Sequence, residues 1–190
     1  IGSKEPVAWL PTLLGLGEGD TVVHPELAYP TYDVGARLAG ATPVAADGLA
    51  ALGPARVSLV WVNSPSNPTG RVLGVPHLRK VVQWARERGA IVVSDECYLD
   101  LGWEGTEPVS ILHPDVCDGS HENLIALHSL SKRSNLAGYR AAFMAGDPAL
   151  VEELLEVRKH AGMIVPAPVQ GAMKAALDDD THAAEQKERY

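Results

Sequence analysis

The sequence predicts an α/β domain built on a mostly parallel sheet with helices on both faces, and three observations carry this reading. Short, nearly continuous apolar runs such as ARVSLVWV (Ala55–Val62) and AIVVS (Ala90–Ser94) have the composition of strands buried on both sides. Amphipathic stretches with helical spacing alternate with these runs. Turn residues and small polar clusters then close strand after strand, as expected where chain crossovers return over a sheet.

Taken in order, Gly2-Ser3 precedes apolar positions at Val7, Leu10, Leu13 and Leu14, a helix with Ser3 near its N-cap. Gly15–Asp20 reads as a turn and Thr21–His24 as a short strand. Tyr32–Leu38 is a helix ending near Gly40, and Thr42–Ala45 a second strand. After Ala55–Val62, the segment NSPSNPTG (Asn63–Gly70) holds two prolines and a terminal glycine, so it forms a structured turn. Val75–Arg88 places Leu78, Val81, Val82 and Ala85 on one face, and Gly89 ends it before the strand Ala90–Ser94. A long connection leads to a strand at Asn123–His128, followed by one at Ala141–Ala145. Pro148–Lys159 is a helix with acidic residues early and basic ones at its end, and Ala183–Tyr190 is a charged helical stretch.

The 190 residues carry 16 Lys and Arg against 24 Asp and Glu, a net charge of −8, with no basic run that would grip nucleic acid. At 46% hydrophobic and 21% charged residues, the chain has the composition of a globular protein. It lacks an apolar stretch near the roughly 20 residues that span a bilayer. Cys97 and Cys117 cannot form a disulfide framework, the seven His are scattered, and no metal is expected. The expected location is a reducing cytoplasm. The chain opens on Ile1 without an initiator Met, and its last helix has no closing Gly or Pro, so a piece of a longer protein is expected.

Ligands of parallel α/β sheets sit outside the strand C-termini. There the sequence places Asn67 after Ala55–Val62, Asp95 and Tyr98 after Ala90–Ser94, and Ser129, Ser131 and Lys132 after Asn123–His128, with Arg140 eight residues beyond. Gly2, Ser3 and Lys4 open a helix whose free N–H groups attract an anion. A partly desolvated Lys is a nucleophile, a strand-end carboxylate holds a protonated ring nitrogen, and a helix N-terminus with hydroxyls and an Arg binds phosphate. Together these match pyridoxal 5'-phosphate.

The motifs SLSKRSNLAGYR (Ser129–Arg140), SPSNPTG (Ser64–Gly70) and SDECY (Ser94–Tyr98), in this order and spacing, resemble the fold type I pyridoxal-phosphate aminotransferases over nearly the whole chain. The resemblance implies a three-layer sandwich: a cofactor-binding large domain over residues 1–160, and over 161–190 the start of a connection to a small domain. It makes Lys132 the residue bonded to the cofactor and the proton carrier. Asp95 becomes the partner of the pyridinium nitrogen, and Asn67 and Tyr98 donors to the ring O3'. Tyr29 becomes the aromatic stacked on the ring, with Tyr32 as the alternative. Gly2, Ser3, Lys4, Ser129, Ser131 and Arg140 would complete the cofactor site. Arg140 pairing with a carboxylate is the competing reading, and Cys97 reads as a small buried residue and Asp178–Asp180 as a solvated turn.

Together with GSKE, HPELAYPTYDVGARLAGA, LVWVNSPSNPTGRVL and RKHAGMIVPAPVQ, the motifs are most similar to the actinobacterial N-succinyldiaminopimelate aminotransferases of lysine biosynthesis. That similarity implies N-succinyl-LL-2,6-diaminopimelate and 2-oxoglutarate as substrates, a homodimer, and Lys159, His160 and the loop 162–170 as contacts for the distal end of the substrate. Relatives close an N-terminal segment over the substrate and bind its carboxylate with an Arg of the small domain; neither is in this sequence, so weakened transamination is expected. A C–S lyase or other amino acid aminotransferase with the same cradle, or a pyridoxal-phosphate-sensing domain of a transcription regulator, are the alternatives.

Overall fold

A computed structural model describes residues 1–53, 56–103, 105 and 107–190. Six strands form one sheet: β1 (Thr21–His24), β2 (Thr42–Ala45), β3 (Leu59–Asn63), β4 (Ile91–Asp95), β5 (Leu124–Ser129) and β6 (Ala142–Gly146). Their spatial order is β2-β1-β3-β4-β5-β6. The first five run parallel, and β6 lies antiparallel against β5. The reversal follows from the β5–β6 connection, which holds only a single-turn helix, α5 (Leu130–Arg133), and a 3₁₀ turn (Ala137–Tyr139). A parallel return usually runs through a full crossover helix, which this connection lacks.

The remaining helices are α1 (Lys4–Leu13), α2 (Thr31–Leu38), α3 (Val75–Arg86), α4 (Pro114–Cys117), α6 (Pro148–His160), α7 (Ala167–Leu177) and α8 (Thr181–Arg189). Every residue of β3 is buried, which is why its sequence is apolar throughout. Val60 and Val62 point into a core shared with Leu78, Val81 and Val82 of α3 and with Val116 of α4. Leu59 and Trp61 point the other way, into a core with Val7 and Leu10 of α1, Tyr32 and Ala36 of α2, and Leu154 of α6. The result is three layers, α3 and α4 on one face and α1, α2 and α6 on the other. Each fully buried Leu or Val contributes about 1.5–3 kcal/mol on leaving water.

The strand expected over Ala55–Val62 begins at Leu59 and runs on to Asn63; its expected start, Ala55, lies outside the described residues. The strands β4, β5 and β6 are each displaced one residue toward the C-terminus, to Asp95, Ser129 and Gly146, and α3 stops at Arg86, two residues before Arg88. These shifts matter at one place: Asn63, Asp95 and Ser129 are the last residues of their strands rather than the first residues of loops. Gly35 of α2 lets that helix lie against α1, since a Cβ there would stand 2.9 Å from the carbonyl oxygens of Val7 and Ala8. Among the described residues no helix is long and apolar enough to cross a membrane.

Candidate active site

The parallel register sets Asn63 beside Asp95 at the C-terminal edge of the sheet. The Asn63 side chain donates to the Asp95 carbonyl at 2.8 Å and to the Pro65 carbonyl at 3.2 Å, and its Oδ1 accepts the Asn67 N–H at 2.7 Å. One buried amide thereby fixes the turn that presents Asn67. Asp95 is only 6% exposed. Its Oδ2 accepts the Tyr32 hydroxyl at 2.8 Å and its Oδ1 the Cys97 N–H at 3.2 Å. Among the described residues no Lys, Arg or His pairs with this carboxylate.

Tyr32 is fully buried, stacked on Trp61 (centroids 4.8 Å apart, planes at 24°) and met edge-on by Tyr29 at 5.9 Å. Burial, then the neighbouring Asp95 charge, push its phenol far above the ordinary value, so it remains a neutral donor. The Cys97 thiol is raised for the same two reasons, burial first; its sulfur lies 3.1 Å from the Ser3 hydroxyl. Tyr98 is raised as well, by burial and then by Cys97 and Asp95.

On the opposite wall, α1 starts at Lys4, and Ser3 at its N-cap makes no side-chain bond to the first turn. The N–H groups there are free to meet an anion. The Gly2 N–H donates to the Arg140 carbonyl at 2.7 Å. Gly2 has φ of +68°, and a Cβ on it would lie 2.3 Å from an Arg140 guanidinium nitrogen. Glycine is therefore what lets the guanidinium lie across the helix start. The Arg140 guanidinium donates to the Ala137 carbonyl at 2.7 Å and, among the described residues, forms no ion pair, so the carboxylate-pairing alternative finds no partner. The Ser129 hydroxyl accepts the Ser131 N–H at 3.2 Å and so caps α5, which carries Lys132.

These groups converge on a cavity of about 280 Å³. Its lining includes Ser3, Lys4, Ser129, Ser131 and Arg140, with Asp95, Cys97 and Tyr32, and Tyr29, Asn67, Tyr98 and Lys132. Of the residues singled out for the cofactor site, all line the cavity except Gly2, which is buried beneath Arg140. Lys4 Nζ stands 5.6 Å from the Tyr29 ring centre. Lys132 is exposed, so the described residues do not withdraw its side chain from water as expected of a desolvated lysine.

Several expectations change. Tyr32, the alternative ring stacker, lies in the core stacked on Trp61 and donates its hydroxyl to Asp95. Cys97 lines the cavity rather than merely filling space. Lys159 pairs with Glu156, and neither it, His160 nor the loop 162–170 lines this cavity, so their expected contact with the distal end of a substrate stays an expectation. Asp180 binds Arg133, so the acidic turn is more than a solvated bend. Asn63 was not singled out by its sequence position; a polar residue closing a fully apolar strand is the signal that marks it.

The family model for aminotransferase class I and II matches residues 1–190. The chain is 70% identical over its full length to a probable aminotransferase of Mycobacterium tuberculosis, of which it covers 45%. It is 61% identical over its full length to the 4-dedimethylamino-4-oxo-anhydrotetracycline transaminase of Streptomyces rimosus, covering 53% of it. The N-succinyldiaminopimelate aminotransferase structure from Mycobacterium tuberculosis superimposes with a TM-score of 0.85 at 28% identity, over 99% of this chain and 52% of that one. The chain thus spans about half the length of the relatives it matches.

Proposed function

The chain belongs to the aminotransferase class I and II family, whose members use pyridoxal phosphate, and from that premise we propose that it forms the cofactor-binding half of an aminotransferase. The observation that carries the reading is Asp95, a buried carboxylate that lines the cavity, accepts from two neutral donors and pairs with no Lys, Arg or His among the described residues. A buried charge without a counter-charge is costly, and a protonated ring nitrogen from a ligand removes that cost.

The rest of the donor set fits the same group. Arg140, the start of α1 and the serine hydroxyls suit a phosphate at one end of the cavity. Lys132, in the same lining, suits an aldehyde, and Asn67 with Tyr98 suits a ring oxygen. When bound, pyridoxal phosphate supplies an electron-withdrawing ring that stabilises negative charge at a substrate α-carbon. Asp95 would hold the ring nitrogen protonated, and the Tyr32 hydroxyl would keep that carboxylate oriented. Tyr29 would cover the ring face. The amine of Lys132 would take the α-proton of the substrate and return it, with small-molecule amino acids and 2-oxo acids as the reacting pair.

Residues 1–160 then act as the cofactor domain and 161–190 as the link to a further domain, a division resting on the family resemblance. On the same ground the longer protein is a homodimer, and free Cys97 and Cys117 suit the cytoplasm. Two substrate readings stand. N-succinyl-LL-2,6-diaminopimelate has the support of the sequence motifs and of the mycobacterial structure. The 61%-identical relative, named for a tetracycline intermediate, supports a bulkier acceptor.

The deciding experiment adds pyridoxal phosphate to the purified chain, dialyses, reduces with borohydride and maps the labelled peptide. Label on Lys132, lost in Lys132→Ala, is the expected result; label spread over surface lysines would sink the reading. Product analysis then separates a transaminase, which needs a 2-oxo acid acceptor, from a lyase, which releases pyruvate or ammonia without one.

A further inference from the structure

On the α3 side of the sheet lies a separate cavity of about 410 Å³, which shares only Asn63 with the candidate active site. It borders the turn that presents Asn67, since Ser66 and Thr69 line it as well. That volume suits a small molecule. Val60, Val62 and Val81 give it an apolar lining, each at most 6% exposed, and Leu27, in the same lining, is 67% exposed. Three basic side chains also line it: Arg71, and His77 and Lys80 of α3. Burial, then the positive charges of Arg71 and Lys80, hold the His77 imidazole below its ordinary pKa, so the three stand close together. Among the described residues none of them joins an ion pair. The acidic side chain of the lining, Asp47, accepts the Glu26 N–H at 3.0 Å, and the charges that move His77 are those of Arg71 and Lys80, not Asp47.

We infer that this cavity is a second ligand site, distinct from the cofactor site, and that it takes a small carboxylate with an aromatic body. Like charges gathered without a counter-charge repel one another, and an anion among them removes that repulsion. The planar guanidinium of Arg71 matches a carboxylate in shape as well as in charge. An inorganic anion would leave the valine lining and Leu27 uncovered, whereas an aromatic body covers them and itself leaves water. A neutral aromatic would do the second and leave the basic cluster unrelieved. Arg71, His77 and Lys80 are absent from the cofactor cavity, so occupancy of the two sites is separable.

The test titrates this chain by calorimetry with three probes: indole-3-acetate, its neutral amide indole-3-acetamide, and acetate. Indole-3-acetate is expected to bind with a Kd of about 1 mM or below, as suits a ligand of its size. The amide should bind about tenfold more weakly, the loss of one charge-assisted contact, and acetate more weakly still. Arg71→Gln combined with Lys80→Gln should bring the acid-to-amide ratio close to one; both side chains are exposed, so the fold is kept, and an unchanged urea midpoint checks this. Arg140→Gln, in the cofactor cavity, should leave that ratio unchanged. Absence of indole-3-acetate binding, equal binding of acid and amide, acetate matching indole-3-acetate, or a ratio that survives the double variant overturns the inference. A ratio lost in Arg140→Gln instead overturns it too, by placing the probe in the cofactor cavity. The aminotransferase reading stands or falls separately, on the labelling of Lys132.

Discussion

Replacing Tyr32 with Phe removes one oxygen from the core and nothing else. The ring stays stacked on Trp61 at 4.8 Å, but Asp95 loses the hydroxyl that it accepts at 2.8 Å. What remains to this buried carboxylate is the Cys97 N–H at 3.2 Å. A hydrogen bond to a charged group contributes about 1.5–3 kcal/mol. For a chain of this size each kcal/mol moves the melting temperature by about 2–4 °C, so Tyr32→Phe should lower it by roughly 3–12 °C. Urea unfolding measures the same loss as a change in midpoint at constant slope. In an Asp95→Asn background, where the charge is gone, the Tyr32→Phe cost should shrink by at least about 1 kcal/mol, the sign of direct coupling. Retention of pyridoxal phosphate through dialysis should fall in parallel. A Tyr32→Phe variant within about 0.5 kcal/mol of the parent, or one whose cost is unchanged by Asp95→Asn, would refute the argument that this hydroxyl holds the carboxylate.

Three further outcomes follow from the same geometry. Asn63→Ala deletes bonds to Asn67, Pro65 and Asp95, so urea titration should show a loss of about 2–4 kcal/mol, with weaker cofactor retention as Asn67 loses its anchor. Gly35→Ala sets helix propensity, which alone favours Ala by about 1 kcal/mol, against a Cβ that would stand 2.9 Å from two backbone carbonyls. Net destabilisation of about 1–2 kcal/mol is expected, and a stabilised variant would show that α1 and α2 part freely. The raised thiol of Cys97 stays protonated in the folded chain while the unfolded chain ionises above about pH 8.5. Stability should therefore be fully present below that pH and fall above it by at most about 1.4 kcal/mol per pH unit, a slope that Cys97→Ala should reduce in melts from pH 8 to 10.

The elements of this fold were legible because burial on two faces demands unbroken apolar runs and burial on one face demands helical periodicity. LVWVN and the Leu78, Val81, Val82, Ala85 face of α3 are direct consequences, and both appear where their patterns stand. The direction of β6 was less legible, since an apolar strand has the same composition whichever way it runs. Boundaries slipped by a residue because Asp95 and Ser129 are polar yet still pair in the sheet.

The cavity divides in the same way. Lys132, Asp95, Asn67, Tyr98 and Arg140 could be found from order and spacing alone, because each must follow a strand to reach the sheet edge. Tyr32, Asn63 and Cys97 could not be assigned in advance. Tyr32 meets Asp95 across 63 residues of chain and the Cys97 sulfur meets Ser3 across 94, so only the packing of α2 and α1 on the sheet decides which polar groups face one another. It also decides which charges remain unspent: Arg133 is consumed by Asp100 and Asp180, whereas Arg140, left-handed at φ of +54° and folded over Gly2, has no ion-pair partner among the described residues. Local sequence thus determined which chemical groups stand at the strand ends. Tertiary contacts between distant segments decided their orientation and charge, because hydrogen bonds and desolvation depend on neighbours in space.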